Sequence, residues 1–427
     1  MYVYVCVCMT VHGLINIARH CNITTFRKFP RLVMFGRRRQ LSASSLSASI
    51  LHVGFRYATF LGIICFGIEG NRTDGCLVAQ NRFWYKRFCL LTRLLICVIY
   101  GYLSLDYIFI LDNSHLIILS WIRLVCCLIC AFVTLTLQFW FGQHVLRVVN
   151  SYLRLFRKVN ALPGSQASGF GGRRELSLLI FKMICLMNEV FCEIPELFNG
   201  LNMRLFVTIL CELYVNTNAT MIGHLCFVGY LSVGALYARV NHYVRHELRR
   251  QLQGLEQLNG SEVSRRQLRA AGCRLDQCLA IYDDIQRVGS AFHRLMELPL
   301  CLILLFAFLS MTLVSYFIML QRFRNVGLWL LVARLFFDVV LLTLAIHGAS
   351  SSSRVVRRLS FDNCYVTERN DWHMKLEMFL GRLNFFEFRV RPLGLFEISN
   401  ELILVFLSGL VTYLTYIIQY GMQSNKI

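Results

Sequence analysis

The sequence predicts an all-α membrane protein with seven transmembrane helices, because of its composition, its apolar runs and the placement of its charges. Of the 427 residues, 56% are apolar and only 5 are Pro, and the mean hydropathy is +0.54. A soluble fold of this size could not hide so much apolar surface. The 18 Cys are scattered and match neither zinc-finger spacing nor a secreted disulfide framework, so we expect most to be apolar filler.

Seven apolar segments have about the 20 residues that a membrane-spanning helix needs. They are 88–110, 116–141, 176–198, 205–236, 298–320, 326–349 and 401–420. Residues 1–87 precede them as an N-terminal region. Within that region, 49–68 is a further apolar stretch, interrupted by Arg56 and three glycines. We expect it to lie at the membrane interface or packed against the helix bundle.

The net charge of +20 is concentrated in alternate connections between the predicted spans. Lys and Arg are frequent before the first span and in the connections after the second, fourth and sixth, and are scarce in the others. Since basic residues favour the cytoplasmic side, this pattern places the N-terminus in the cytoplasm and the tail 421–427 outside. It also explains the positive charge without nucleic acid. Sequons at Asn22, Asn71, Asn218 and Asn259 then lie in the cytoplasm or, for Asn218, inside a helix, so none should carry a glycan.

The connection 239–297 has leucines at helical spacing among many charges. Such spacing predicts amphipathic helices that bury one face, forming a cytoplasmic anchor, although a solvated loop is the alternative. A second cytoplasmic segment, 350–400, leads to the last helix. The leucines that define the pattern are Leu248, Leu252, Leu255, Leu258, Leu268, Leu275 and Leu279.

Several charged and polar side chains fall in the outer or middle part of the predicted spans. Such groups are costly in lipid and normally face a cavity or a partner, so we interpret them as a ligand pocket for a small polar or amphipathic molecule. Interhelical ion pairs are the alternative, and Arg334 and Asp338 have the i, i+4 spacing of one pair. By contrast, Arg93 and Lys182 lie near inner ends, where they are expected to snorkel. The predicted pocket comprises Asp106, Arg123, Glu193, Glu196, Glu212, Asn216, Thr220, Arg334 and Asp338.

The last predicted helix carries a narrow polar stripe. Ser408, Thr412, Thr415 and Gln419 follow spacings of four, three and four, so they share one helix face. Hydroxyl groups can bond back to the helix backbone, but the amide of Gln419 needs a partner or water. The stripe therefore indicates a water-filled pore, with helix-to-helix packing as the alternative.

Two other classes of membrane protein fit the sequence less well. A G-protein-coupled receptor also has seven helices, but its N-terminus lies outside, opposite to the charge pattern here. A membrane-bound metal enzyme would need several histidine boxes. His242 and His246, one helical turn apart, could hold a metal, yet the remaining His are isolated. We therefore expect no catalytic residue, metal or cofactor.

The closing residues TYLTYIIQY resemble the signature of insect gustatory receptors. The pattern is Thr412 and Tyr413, five mostly apolar residues, then Gln419 and Tyr420, where the family usually has Phe. Upstream, GLFEISNELI, residues 394–403, is similar to the family's lead into the last helix. The inside N-terminus and the long basic connection after the fourth span also fit this resemblance.

The resemblance implies a tastant-gated, non-selective cation channel of the plasma membrane. It implies a homo- or hetero-tetramer whose last helices line a central pore, with Gln419 and the adjacent aromatic residue at the narrow part. Sugar-responsive members tend to have Glu where this chain has Leu414, so bitter or other non-sugar tastants are expected. Glu401 would add charge near the inner mouth. The pore and gate residues are Ser408, Thr412, Thr415, Tyr416, Gln419 and Tyr420.

Overall fold

The part of the protein that the structure describes is almost entirely helical, with one small β-hairpin ahead of the long helices. The structure, a computed structural model, describes residues 42–70, 77–112, 114–162, 169–199, 203–251, 265–320, 326–355, 370–385 and 388–424. The elements are α1 (Ala43–Phe60), β1 (Phe66–Gly70), β2 (Leu77–Asn81), α2 (Phe83–Ile110), α3 (Ser114–Phe139), α4 (Gly142–Asn160), α5 (Arg173–Asn199), α6 (Met203–Tyr243), α7 (Arg265–Leu320), α8 (Val326–Val355), α9 (Asn370–Phe385) and α10 (Glu401–Ser424).

All seven predicted spans fall essentially within helices, but they are not equally apolar. Among the described residues, five helices are long and apolar enough to cross a bilayer: α2, α3, α6, α7 and α8. The continuous part of α10 whose side chains are described, Glu401–Tyr416, is apolar but covers only part of that helix, and α5 is not among the five. The second span also ends earlier than expected, because α3 stops at Phe139.

The N-terminal stretch 49–68 is not a single helix. Its first part belongs to α1, which ends at Phe60, and its last residues form β1, paired antiparallel with β2. The sequence suggested a possible interfacial helix over 49–68, whereas the stretch is part helix and part strand, and the hairpin was not expected. Gly62, in the intervening turn, adopts φ +74°, a conformation that L side chains rarely adopt. The turn lets the chain fold back against the bundle, where α1 packs on α5.

Helices α6, α7, α8 and α9 meet in a densely packed region that we call the anchor. It comprises residues 236–251, 265–297, 346–355, 370–385 and 388–390. Its centre holds Tyr237 and Tyr282, whose rings stack 6.4 Å apart. The hydroxyl of Tyr282 donates to Asn241 Oδ1 at 2.7 Å, and the Asn241 amide donates to the Ser352 carbonyl oxygen at 2.7 Å. Side-chain and backbone polar groups thus bond to one another where the helices cross.

The long connection after the fourth predicted span is mostly helical in its described part. After Tyr243, α6 continues through a π-helical turn, Val244–Leu248, and α7 then runs without a break from Arg265 into the fifth predicted span. Leu248, Leu268 and Leu275 are buried, as their spacing predicted. Leu252, Leu255 and Leu258 lie outside the described residues, as do Asn22, Asn71 and Asn259.

Candidate functional site

Three polar residues at four-residue spacing share one face of α6, and each makes an interhelical contact. We call Glu212, Asn216 and Thr220 the α6 polar row. The Arg123 guanidinium on α3 forms an ion pair with Glu212 at 2.8 Å, and the Cys127 thiol donates to Asn216 Oδ1 at 3.4 Å. Arg123 and Cys127, which lie one turn apart on α3, therefore contact two successive members of the α6 polar row.

The third member of the row leads to a buried group of charges on α5 and α8. Arg334 Nη2 donates to the Thr220 hydroxyl at 2.9 Å, and Arg334 Nε lies 3.7 Å from Asp338 Oδ2. The predicted i, i+4 pair is thus confirmed. Asp338 also accepts from Lys182 Nζ at 2.5 Å. Lys182 is only 2% exposed, so the expectation that it would snorkel was wrong. The Asp338 carboxylate neutralises part of the positive charge of Lys182 inside the bundle.

Most of the predicted pocket residues are brought together along this line. Six of the nine are joined by contacts or share the α6 face: Arg123, Glu212, Asn216, Thr220, Arg334 and Asp338. Asp106 lies near the end of α2, and the side chains of Glu193 and Glu196 on α5 are outside the described ones. These contacts are of the kind that the alternative of interhelical ion pairs anticipated. The ligand pocket stays a prediction.

Arg93 centres a second buried polar group, which the sequence did not reveal. Its guanidinium donates to Gln138 Oε1 at 2.9 Å, to Asn218 Oδ1 at 3.2 Å and to the Leu61 carbonyl oxygen at 3.4 Å. Gln138 in turn donates to the carbonyl oxygen of Gly62 at 2.9 Å. Helices α2, α3 and α6 thereby hold the turn that follows α1. We call this the Arg93 cluster.

The Arg93 cluster shows that Arg93 does not snorkel, and it encloses the sequon at Asn218. Arg93 is 1% exposed, so it does not snorkel, because the turn supplies carbonyl oxygens inside the bundle. Asn218 is 2% exposed and bonded within the cluster, which leaves no space for a glycan at this sequon. Since the contacts join residues up to 125 positions apart, local spacing carried no signal for them.

A tight turn orders the chain just before α10. Leu393 and Gly394 both have positive φ, +51° and +72°. Gly adopts such a φ without strain, which explains why a glycine stands at position 394 of the lead-in segment. Arg391 forms an ion pair with Glu397 at 3.0 Å across the turn. The Arg391 backbone N–H donates to His293 Nε2 at 3.2 Å. The direction of α10 is thus tied to the anchor through α7.

His293 links this lead-in to α6 as well. Its Nδ1 lies 3.0 Å from the hydroxyl of Tyr230. Burial lowers the pKa of His293, although Glu297 at 3.7 Å opposes that shift. The ring is therefore neutral at pH 7, which its role as acceptor of the Arg391 N–H also requires.

The polar stripe of α10 points away from the rest of its own subunit. Ser408, Thr412, Thr415 and Gln419 are all exposed. The opposite face packs on α7 and α8 through Phe406, which is 9% exposed and meets Phe308 edge-to-face at 5.4 Å.

The hydroxyls of Thr412 and Thr415 donate to backbone carbonyl oxygens four residues earlier, each at 2.8 Å. Tyr416 and Glu401 are exposed too, whereas the side chain of Tyr420 is outside the described ones. The hydroxyls therefore cost little in an apolar setting, and Gln419 is the stripe residue whose amide needs a partner beyond its own turn.

His242 and His246 are the histidines whose spacing could hold a metal. Their rings are 4.4 Å apart, and both side chains are exposed at the end of α6. Within the described residues, no group of three or more His, Cys, Asp or Glu side chains could hold a metal ion. The described part of the chain thus offers at most this pair of histidines.

Comparison with known proteins gives consistent results. The sequence profile of the 7tm chemosensory receptors matches residues 51–424. The chain is 46% identical over 398 residues to putative gustatory receptor 93c of Drosophila melanogaster, covering 92% of this chain and all of the relative. A more distant relative in the same organism, gustatory receptor for bitter taste 93a, is 25% identical over 213 residues, 47% of this chain and 50% of that receptor.

The fold is also similar to a solved structure, that of the insect olfactory receptor OR5 from Machilis hrabei in complex with eugenol. The TM-score is 0.55 at 8% identity, over 88% of this chain and 99% of that one. At that identity the likeness concerns the fold alone. The family profile matches most of the chain, and the relative that aligns over its whole length is the putative gustatory receptor 93c. The chain is a multi-pass membrane protein that belongs to the 7tm chemosensory receptor family, among the insect gustatory receptors.

Proposed function

We propose that the chain is a subunit of a tastant-gated, non-selective cation channel of the plasma membrane, with α10 lining the pore. The observation that carries this proposal is the direction of the α10 polar stripe. Its residues face away from the subunit, on the side opposite Phe406. An amide such as that of Gln419 is costly against lipid, whereas a shared water-filled pore would hydrate it.

A pore of this kind requires several copies of the chain around one axis. Closed rotational symmetry would bring one α10 from each subunit to the axis, and we propose a homo- or hetero-tetramer. A ring of Gln419 and Tyr420 then forms the narrow part, which opens when ligand binds. Since the exposed stripe carries no acidic residue beyond Glu401, weak discrimination among monovalent cations is expected.

Seven transmembrane helices with a cytoplasmic N-terminus complete the proposed arrangement. Five helices qualify by length and hydropathy alone, and α5 and α10 supply the other two. A charged residue within α5 fits a helix that faces protein, since its Lys182 pairs with Asp338 of α8. The alternation of basic connections supports the orientation.

For the ligand, we propose a bitter or other non-sugar small molecule that binds beside the α6 polar row. Leu414 departs from the sugar-responsive pattern, and one distant relative is a receptor for bitter taste. Arg123, Arg334 and Asp338 would form the polar walls of this site, with Asp106, Glu193 and Glu196 nearer its outer opening. Ligand would replace some of the contacts that now join these side chains.

The pore is tested by Gln419→Ala and Thr415→Cys in expressed channels. Gln419→Ala should change conductance or leak, and Thr415→Cys should react with extracellular thiol reagents only while agonist holds the channel open. Leu410→Cys is the matched control, since Leu410 packs against its own subunit and should stay unreactive. Unaltered currents in Gln419→Ala, together with labelling of Thr415→Cys that does not depend on agonist, would show that α10 does not line the pore.

The pocket is tested by the dependence of current on ligand concentration, with a panel of tastants used to find an agonist. Glu212→Ala and Asn216→Ala should each shift the half-maximal concentration, by about tenfold for a lost charged contact. Asp283→Ala, on the exposed side of α7, is the control and should cause no shift. If neither α6 variant shifts the curve, the pocket lies elsewhere while the pore proposal stands.

A further inference from the structure

A cavity of about 180 Å³ lies between the turn after α1 and helices α3, α4, α6 and α7. It is at the end of the bundle where α2 begins and α3 ends. None of its lining residues belongs to the α6 polar row or to α10. It is thus separate from both the pore and the predicted ligand pocket.

The burial of its lining residues shows which way the cavity opens. Ile63, Ile222 and Met296 are buried and form an apolar floor. Asn81 is exposed and Lys86 is partly exposed, so two polar side chains lie at the rim, beside partly exposed apolar ones such as Val149. The cavity therefore has an apolar interior and polar groups at its mouth, which is the arrangement expected for an amphipathic guest.

The charges around the mouth have one sign. No acidic side chain is among the described residues that line the cavity. Lys86 Nζ lies over the Phe139 ring at 5.0 Å and donates to its carbonyl oxygen at 3.5 Å, and it makes no ion pair with a described residue. The Lys86 ammonium group has three N–H donors, and the Phe139 carbonyl oxygen at 3.5 Å is a weak acceptor. Donors therefore remain for an anion.

A second cation lies directly behind the cavity wall. Gln138, which lines the cavity, accepts from Arg93, and the other described partners of that guanidinium are neutral oxygens. Arg93 Nε is buried without a hydrogen-bond partner in the described structure. A buried cation with neutral partners leaves a positive potential that favours an anion nearby.

We infer that this cavity binds one small anionic amphiphile, with its carboxylate or phosphate at Lys86 and its apolar part on the floor. A cavity of 150 Å³ with apolar walls is known to hold a benzene ring, so the volume here suits a short alkyl chain or a single ring. The same chemistry is available from a free organic acid or from the end of an anionic lipid. Either guest would brace α4 and α7 against the turn after α1.

The test uses the full-length chain, purified and placed in nanodiscs of phosphatidylcholine. Its thermal midpoint is followed against added octanoate, against a fraction of phosphatidic acid in the disc, and against octanol as the uncharged counterpart. At least one anionic addition should raise the midpoint, and octanol should not. A rise with octanoate alone identifies a free acid as the guest, and one with phosphatidic acid alone identifies a lipid.

Two pairs of variants locate the effect. Lys86→Gln should weaken the apparent affinity by about tenfold, the value of a lost charge-assisted bond, while Arg87→Gln, whose cation lies over the Phe83 ring at 4.2 Å, should not. Val149→Trp should fill the cavity and abolish the shift, while Val125→Trp on the exposed face of α3 should keep it. No rise in the unmodified chain, an equal rise with octanol, or a rise that survives either Lys86→Gln or Val149→Trp would overturn the inference.

Discussion

The interior formed by α6, α7 and α8 and the exposed face of α10 are opposite environments within one subunit. In the interior, Phe227, Tyr230, Tyr237 and Tyr282 are almost completely buried. The hydroxyls of Tyr230 and Tyr282 bond to His293 and Asn241 on neighbouring helices. In α10, Phe406 is the one buried residue among the described side chains. Stability is therefore concentrated in the interior, and α10 can change its neighbours at small cost, as the gating role proposed for it requires.

The largest expected effect is that of breaking the buried charges. Asp338→Ala would leave Lys182 and Arg334 in the interior without their carboxylate, and removal of one partner from such a pair costs about 3–5 kcal/mol. Denaturant titration of the purified chain in detergent micelles should show this loss. The matched control is Asp283→Ala, whose exposed pair with Arg287 should contribute less than about 1 kcal/mol. Equal losses in the two variants would contradict the contrast between interior and surface.

Tyr282 in the interior and Tyr416 on α10 are tyrosines in the two opposite environments. Tyr282→Ala removes a buried ring and its bond to Asn241, so we expect a loss of about 3–5 kcal/mol of unfolding free energy. Tyr416→Ala in α10, where the side chain is 61% exposed, should cost less than about 0.5 kcal/mol in the separated subunit. Measured in the assembled channel, the second substitution should alter gating instead. A similar loss for both in the separated subunit would mean that α10 is not loosely held.

The smallest effect concerns the junction between the two environments at His293. Burial holds its pKa below 6.5, so the folded chain binds fewer protons than the unfolded chain as the pH falls through 6.5. Its contribution to stability is thus present above that pH and is lost below it. Between pH 7.5 and pH 5.5 the loss is at most about 1.4 kcal/mol.

A variant of this histidine isolates its share of the pH dependence. His293→Gln keeps an acceptor for the Arg391 N–H but cannot titrate, so its thermal midpoint should vary less with pH than that of the unmodified chain. An identical pH dependence in the unmodified chain and in His293→Gln would show that another group is responsible.

The comparison also separates what local pattern could predict from what it could not. The i, i+4 pair of Arg334 and Asp338 and the four-residue spacing of the α6 polar row follow from helix geometry, and both were visible in the sequence. Lys182 and Arg93 were misjudged, because each was assigned to the membrane interface by its distance from a helix end. Their partners, Asp338 and Asn218, lie 156 and 125 residues away. Contacts between residues so far apart in the chain leave no sign in the local spacing of residues.

The membrane class, the helices that contain the predicted spans and the stripe of α10 could be predicted from the sequence, because apolar length and helical period act over about 20 residues. The family signature at the end of the last helix was equally visible there. Tertiary structure alone decided that the turn after α1 enters the bundle, that Arg93 and Lys182 are buried, and that a cavity with a basic rim lies beside that turn. These features depend on how distant helices approach one another, and that geometry is set by packing over the whole chain rather than by any single segment.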